Sequence, residues 1–318
     1  MTKIHKQFIT GGRLAVKVGV IGVGYLGQHH ARIYSDLEGV VLVGVADSDK
    51  ARADEIAAKY SCNAFSLYQD LIDNTDALSI VTPTTIHYAV ARDCLKAGKD
   101  ILIEKPITTT VREADTLIRE AEKTGCLIQV GHLERYNPAI IAASGMIHAP
   151  VFIESERVSP FLGRGTDVDV TLDLMIHDID IILSLVGQPI NRIWATGAKV
   201  LTDKIDVAKA WLEFKNGCAA LATVSRVSPE KQRKLKVFQK DSHIIIDYQS
   251  SEIQCYFRNG HGVSSEVKKP EKKEPLREEL KDFIRCVQER GQPKVSAVEG
   301  RNALKVVMEI TEKINMQG

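Results

Sequence analysis

A chain of 318 residues, 44% hydrophobic and 26% charged, has the length of two domains that each bury a core, which excludes a single small stapled module. Forty-two lysines and arginines against 41 aspartates and glutamates leave a formal charge of +1, so no global field draws nucleic acid or an anionic membrane. The cysteines at 62, 94, 126, 218, 255 and 286 are too widely spaced for a CxxC metal or redox pair and suit small buried thiols in a reducing compartment.

Residues 1–14 lack the apolar core of a signal peptide and read as a flexible tail. No uninterrupted apolar run reaches the ~18 residues of a membrane span, and a soluble, cytoplasmic protein is expected. From 15 to about 145, short β-branched runs alternate with helical stretches, the pattern of a parallel sheet wound by crossover helices. Strands are expected at 16–22, 40–47, 77–82, 100–104 and 126–131, nearly apolar throughout because helices cover both faces. From 146 to 318 the texture becomes that of a large, mostly antiparallel sheet with a hairpin at Asn216-Gly217. A helix is expected at about 171–186 and two more near 275–290 and 297–315, the last two free to pack back on the first domain. The fold class expected is α/β: a doubly wound Rossmann domain followed by an α+β substrate and oligomerisation domain.

The first strand runs into GVIGVGYLGQHHARIY, with Gly22, Gly24 and Gly27 in GxGxxG spacing around Tyr25 and Leu26. Gly22 permits the tight turn, Gly24 lets backbone approach a pyrophosphate, and Gly27 lets helix pack on strand. Asp47 ends the second strand, where a carboxylate accepts from a ribose 2′-hydroxyl, so the cofactor expected is NAD rather than NADP. A glycine-rich turn without a ligand is the plain alternative, and the strand, helix and acid around the motif argue against it. His29 and His30 read as partly exposed helix residues.

In open α/β sheets ligands bind beyond the carboxyl ends of the strands. Those ends carry Thr82-Pro83-Thr84, Glu104-Lys105-Pro106 and Gly131-His132-Leu133-Glu134-Arg135-Tyr136-Asn137-Pro138. Lys105, followed by proline, is held out of helix and projects. In TLDLMIHDIDIILSLVG, residues Asp173, His177, Asp180 and Ser184 fall on one face of an otherwise apolar helix, as a polar pocket wall would. A satisfied core histidine paired with Asp173 is the bland alternative, and Asp178, off the stripe, is expected to pair elsewhere.

These motifs, in this order, resemble the Gfo/Idh/MocA oxidoreductases, the group of glucose-fructose oxidoreductase and myo-inositol dehydrogenase. GVIGVGYLG, Asp47, VTPTTIHY, EKP, GHLERYNPA and DLMIHDID carry the likeness over about residues 15–315. It implies NAD(P)-dependent oxidation or reduction of a ring alcohol, and homodimers or homotetramers through the second sheet. Lys105 matches the EKP lysine, and Asp173 and His177 match the active-site pair. Met175 stands where the family often has glycine, and Val168-Asp169-Val170 replaces a glycine-rich lead, which points to a specialised pocket.

The cofactor set expected is Gly22, Gly24, Tyr25, Leu26, Gly27, Asp47, Thr82, Pro83, Thr84, His87, Glu104 and Lys105. For catalysis, His177 is the base, Lys105 steadies the alkoxide, and Asp173 orients the imidazole or binds a hydroxyl. Exchange of the lysine and histidine roles stays open, because burial alone can lower a lysine pKa enough to make it a base. The same resemblance, in DVDVTLDLMIHDID and GHLERYNPA nearer to nucleotide-sugar members than to free-sugar ones, implies a nucleotide sugar as the favoured substrate, most concretely a UDP-N-acetylhexosamine oxidised at position 3, with Arg135, Asn137, Arg157, Arg164 and Asp180 expected to contact it. The arginines are expected to recognise the diphosphate through paired donors. No metal is expected, since no ligand spacing appears. The alternatives are a free-sugar or cyclitol dehydrogenase and a non-catalytic NAD-bound sensor or scaffold; a methyltransferase-like site leaves EKP and DLMIHDID without a role.

Overall fold

The apolar runs of the first third form a six-stranded parallel sheet: β1 (Val16–Ile21), β2 (Val40–Ala46), β3 (Asn63–Phe65), β4 (Ala77–Ile80), β5 (Asp100–Glu104) and β6 (Ile128–Gly131). Their spatial order is β3-β2-β1-β4-β5-β6, with the topological switch between β1 and β4, where doubly wound sheets take their ligands. Five of these strands were legible as sequence; β3 is a three-residue edge too short to show a period. The computed structural model describes residues 9–10, 13–163, 166–260 and 262–317. Within the expected tail, Ile9–Thr10 pairs antiparallel with Arg13–Leu14, while residues 1–8 and 11–12 lie outside the described residues.

Helices α1 (Gly27–Asp36), α2 (Lys50–Tyr60), α3 (Tyr68–Ile72), α4 (Thr84–Lys96) and α5 (Val111–Thr124) wind this sheet. Helix α5 starts at a reciprocal cap, in which the Thr110 hydroxyl accepts from Glu113 N–H while the Glu113 carboxylate accepts from Thr110 N–H. Its end is Gly125, in the left-handed region that glycine adopts without a Cβ clash.

The chain divides into two compact units, the described residues up to Gly131 with Leu276–Arg301, and His132–Pro275 with the described residues from Asn302 on. Helix α6 (Pro138–Ser144) therefore belongs with the second unit, where the sequence boundary at 145 had placed it in the first. It buries Ala139, Ile140 and Ala143 and packs against strands of the second sheet.

That sheet has eight strands: β7 (Phe152–Val158), β8 (Ile190–Ala198), β9 (Val207–Phe214), β10 (Ala219–Ser225), β11 (Gln232–Phe238), β12 (Ser242–Asp247), β13 (Glu252–Asn259) and β14 (Gly262–Lys268). The order is β8-β9-β10-β7-β11-β12-β13-β14, antiparallel except where β7 lies parallel to β10. The β9–β10 hairpin turns at Asn216-Gly217, with Gly217 at φ 86°. Helix α7 (Ile176–Val186) packs on β7 and β10, while α8 (Pro275–Glu289) and α9 (Ala297–Asn315) close the chain. All six cysteines are free thiols. No helix among the described residues is long and apolar enough to cross a membrane.

Candidate active site

The glycine loop has the shape a dinucleotide requires. Gly22 sits at φ 87°, and a Cβ there would stand 2.6 Å from the Val81 carbonyl oxygen. A Cβ on Gly27 would meet the Gly22 carbonyl oxygen at 1.8 Å, so α1 cannot start this close to β1 with any other residue. Around the Cβ position of Gly24 nothing lies within 4 Å, which leaves backbone open to a pyrophosphate at the N-terminus of α1. Tyr25 is exposed and Leu26 half-buried at the same turn.

Asp47 is held firmly. Its Oδ2 accepts from Val23 N–H and its Oδ1 from Asp49 N–H, both at 2.9 Å. Arg52, the cation that would favour a 2′-phosphate, lies 3.6 Å from Asp47 and 3.3 Å from Asp49, neutralised by two carboxylates. Farther along the sheet edge, the buried Thr82 hydroxyl has no hydrogen-bond partner among the described residues, as a group awaiting a ligand would. Pro83 caps α4 and Thr84 begins it.

His87 corrects one expectation. It is buried, with Nε2 2.8 Å from the Thr82 carbonyl and Nδ1 3.0 Å from the Pro106 carbonyl, so both nitrogens face backbone carbonyls rather than a nucleotide, and the neutral ring donates to one of them according to its tautomer. Burial, opposed by those carbonyls, pushes its pKa below the ordinary value. The ring ties the TP loop to the EKP turn. Glu104 is buried, with one carboxylate oxygen 3.3 Å from His30 and the other accepting from the Lys105 backbone N–H, contacts that belong to the turn and not to the nucleotide set in which the sequence placed it. His30, expected to be partly exposed, is completely buried. Lys105 stays partly open at the end of β5, and the Lys105–Pro106 bond is cis.

In the second unit the expected helix from 171 begins instead as a π-helical turn, Thr171–Met175, with α7 regular from Ile176. Such turns recur at functional sites, and this one carries Asp173. Asp173 and His177 are both half-buried, while the other members of the stripe diverge. Asp180 is 2% exposed and lies 3.5 Å from Arg135, and Ser184 faces solvent and donates to its own helix. His132, which the sequence reading left without a role, is buried with its ring edge-on to His177, centroids 6.4 Å apart.

The expected substrate contacts fare worst. Arg157 is 3% exposed: its Nε and Nη2 donate to the two oxygens of Asp178 at 3.0 Å, and its Nη1 donates to Glu134 at 2.9 Å. Burial opposes the guanidinium charge, but Asp178 and Glu134 outweigh it and hold its pKa above the ordinary value. Arg157 is therefore a structural cation, and Asp178 pairs off the stripe with it. Asn137 caps α6, its Oδ1 accepting from Ala139 N–H and its Nδ2 donating to Glu134. Asp180 and Arg135 neutralise each other, and Arg164 lies outside the described residues. Arg233, absent from the sequence set, stands opposite Arg157 on β11 with its guanidinium 3.8 Å from Glu134 and its side chain 38% exposed. Its cue in the sequence was only strand alternation, which many surface arginines share.

A doubly wound sheet with this glycine loop and acid defines a dinucleotide-binding oxidoreductase. The description "oxidoreductase family, NAD-binding Rossmann fold" of GFO/IDH/MocA matches residues 16–132, and the GFO/IDH/MocA C-terminal domain matches residues 148–245. The chain belongs to the Gfo/Idh/MocA oxidoreductase family. It is 37% identical to the UDP-N-acetylglucosamine 3-dehydrogenase of Acidithiobacillus ferrooxidans, over 93% of this chain and 96% of that protein. A solved structure of that enzyme covers 96% of this chain and 99% of its own, with a TM-score of 0.92 at 36% identity. The scyllo-inositol 2-dehydrogenase (NAD(+)) of Bacillus subtilis is 31% identical over 67% of this chain and 68% of that protein. The chain is thus an NAD-dependent dehydrogenase.

A 2′-phosphate brought against Asp47 meets like charge, which costs several kcal/mol, so NADH is expected to bind roughly 100-fold tighter than NADPH. Fluorescence titration of both checks this, and Asp47→Ser should narrow the gap. Tighter binding of NADPH to the unaltered protein would overturn the role of Asp47.

Proposed function

We propose that the chain oxidises a ring hydroxyl of a nucleotide sugar, at position 3 of a UDP-N-acetylhexosamine. The single observation that carries this reading is the 37% identity, across nearly the whole of both chains, to the UDP-N-acetylglucosamine 3-dehydrogenase. NAD, when bound, supplies the hydride acceptor. His177 takes the hydroxyl proton, because imidazole exchanges protons near neutrality. Lys105 donates to the oxygen as negative charge develops on it, and Asp173, one turn before His177, orients the imidazole or holds a neighbouring hydroxyl. With Arg157 committed to Asp178, Arg233 becomes the candidate for the diphosphate, since its guanidinium keeps an open side. Oxidation of a cyclitol or free sugar is the second reading, favoured by the 31% identity to the inositol dehydrogenase.

A panel of UDP-N-acetylhexosamines, free hexoses and inositols, followed by NADH formation with a 2-oxo acid added to recycle retained cofactor, separates the two. Turnover is expected on the UDP-sugars. Robust activity on inositol or glucose with none on any nucleotide sugar would replace the first reading with the second.

The same proposal includes a homo-oligomer built on the second sheet. Its outer face carries a run of rings, Trp211, Phe152, Phe238, His243 and Tyr256, with successive centroids 4.2–5.9 Å apart. Trp194, beside Trp211 on the neighbouring strand, is 48% exposed. An apolar face of this kind favours burial against a second copy. Sedimentation is expected to give a dimer or tetramer, and Trp211→Glu a smaller species; a monomeric unaltered protein would refute it.

A further inference from the structure

The first unit contains a buried pair that the reaction as described above does not use. His30, completely buried on α1, has its Nε2 3.3 Å from Glu104 Oε1, within ion-pair distance although the two are not aligned for a hydrogen bond, and neither ring nitrogen has another hydrogen-bond partner among the described residues. The second oxygen of the same carboxylate accepts the Lys105 backbone N–H at 3.3 Å. Gly131, paired with Glu104 across β5 and β6, gives the carboxyl its room, because a Cβ there would stand 2.8 Å from it. His87, which clamps Thr82 to Pro106, also feels the charge of Glu104. Burying a carboxylate is unfavourable unless it has a partner, so apolar packing alone would not keep Glu104 here.

We infer that His30 is a positioning residue for Lys105. Its imidazole holds the Glu104 carboxyl inward, and that carboxyl in turn fixes the 104–106 turn through the Lys105 amide. Without the imidazole, the carboxylate swings outward to water, and the turn loses its acceptor. Supporting groups of this kind matter because a catalytic side chain displaced by about 1 Å can lose roughly 100-fold in rate. The inference rests on the catalytic role assigned above to Lys105, so its test needs a readout that requires no substrate.

Three variants serve: His30→Leu removes the imidazole, His30→Gln keeps an N–H donor, and Glu104→Gln keeps size but removes charge. Hydrogen exchange read by mass spectrometry on the peptide spanning 103–108 reports the turn directly. In His30→Leu the Lys105 amide is expected to exchange roughly tenfold faster or more, with NADH affinity near that of the unaltered protein. His30→Gln should recover most of the protection. On the true substrate, kcat should fall roughly 10–100-fold in His30→Leu with KM little changed, and His30→Gln should rescue it. If His30→Leu fails to fold, Glu104→Gln carries the same exchange and rate measurements. Unchanged exchange at 103–108, or a loss of activity that tracks a lowered Tm and is not rescued by glutamine, overturns the inference. The expected exchange pattern in a protein that oxidises no alcohol in the panel supports the His30–Glu104 coupling and overturns the reaction assigned to Lys105.

Discussion

Lys105→Met and His177→Asn are each expected to lower kcat by ~10²–10⁴ while leaving NADH binding nearly intact, the contribution of a positioned acid or base. The two residues reach this expectation from different directions. Lys105 directly follows β5, at the carboxyl edge of the sheet, and stays partly open to solvent although the residue before it is buried. His177 follows the π-helical turn, half-buried beside the edge of His132. Asparagine keeps much of the shape of histidine and a hydrogen-bonding end, but it does not exchange protons near neutrality. Asp173→Asn should lower the rate less than either, because an amide still accepts a hydrogen bond while losing the charge that favours an imidazolium. Steady-state kinetics with NADH titrations check all three, and near-native turnover in Lys105→Met or His177→Asn would remove that residue from the mechanism.

What was legible in the sequence follows from how locally each feature is determined. The glycine loop could be read because much of what demands glycine there is local: Gly22 takes a positive φ in the turn, and a Cβ on Gly27 would strike the Gly22 carbonyl five residues earlier. The apolar strands, too, were readable, since burial on both faces leaves almost no polar position to confuse the pattern. Polar side chains were harder, because type and spacing do not reveal the partner. Arg157 and Arg233 occupy opposite positions on neighbouring strands, yet one is enclosed by Asp178 and Glu134 and the other reaches water. Asp173 and Asp180 share a predicted stripe, yet Asp180 is buried 3.5 Å from Arg135, in the segment after β6, while Asp173 stays half-buried. His30 was misread for a related reason: α1 turns that face toward the end of β5, a neighbour more than 70 residues away in the chain. The helix boundary at 171 was blurred by a π turn, for which the apolar period gives no signal.

The buried Arg157–Asp178 pair should produce the largest change in stability. Both side chains are almost fully enclosed, the guanidinium forms two bonds to one carboxylate and a third to Glu134, and its Cζ lies 5.5 Å from the Tyr248 ring. Removing one member leaves the other charge buried without its partner, which costs about 3–5 kcal/mol. Arg157→Met and Asp178→Asn are therefore each expected to lower Tm by roughly 6–20 °C, at 2–4 °C per kcal/mol for a unit of this size. Arg157→Met combined with Asp178→Leu should recover much of that loss, because a buried pair replaced by apolar side chains is often neutral or stabilising. Asp178 is the residue after His177, so the pair also fixes the rotation of α7 that presents the imidazole. A double variant that regains Tm but not kcat would show the pair setting the active-site geometry, and one that regains both would confine it to stability. The diphosphate role expected for Arg157 from sequence predicts the reverse for Arg157→Met, a raised KM for UDP-sugars at unchanged Tm, and that result would return Arg157 to the substrate site.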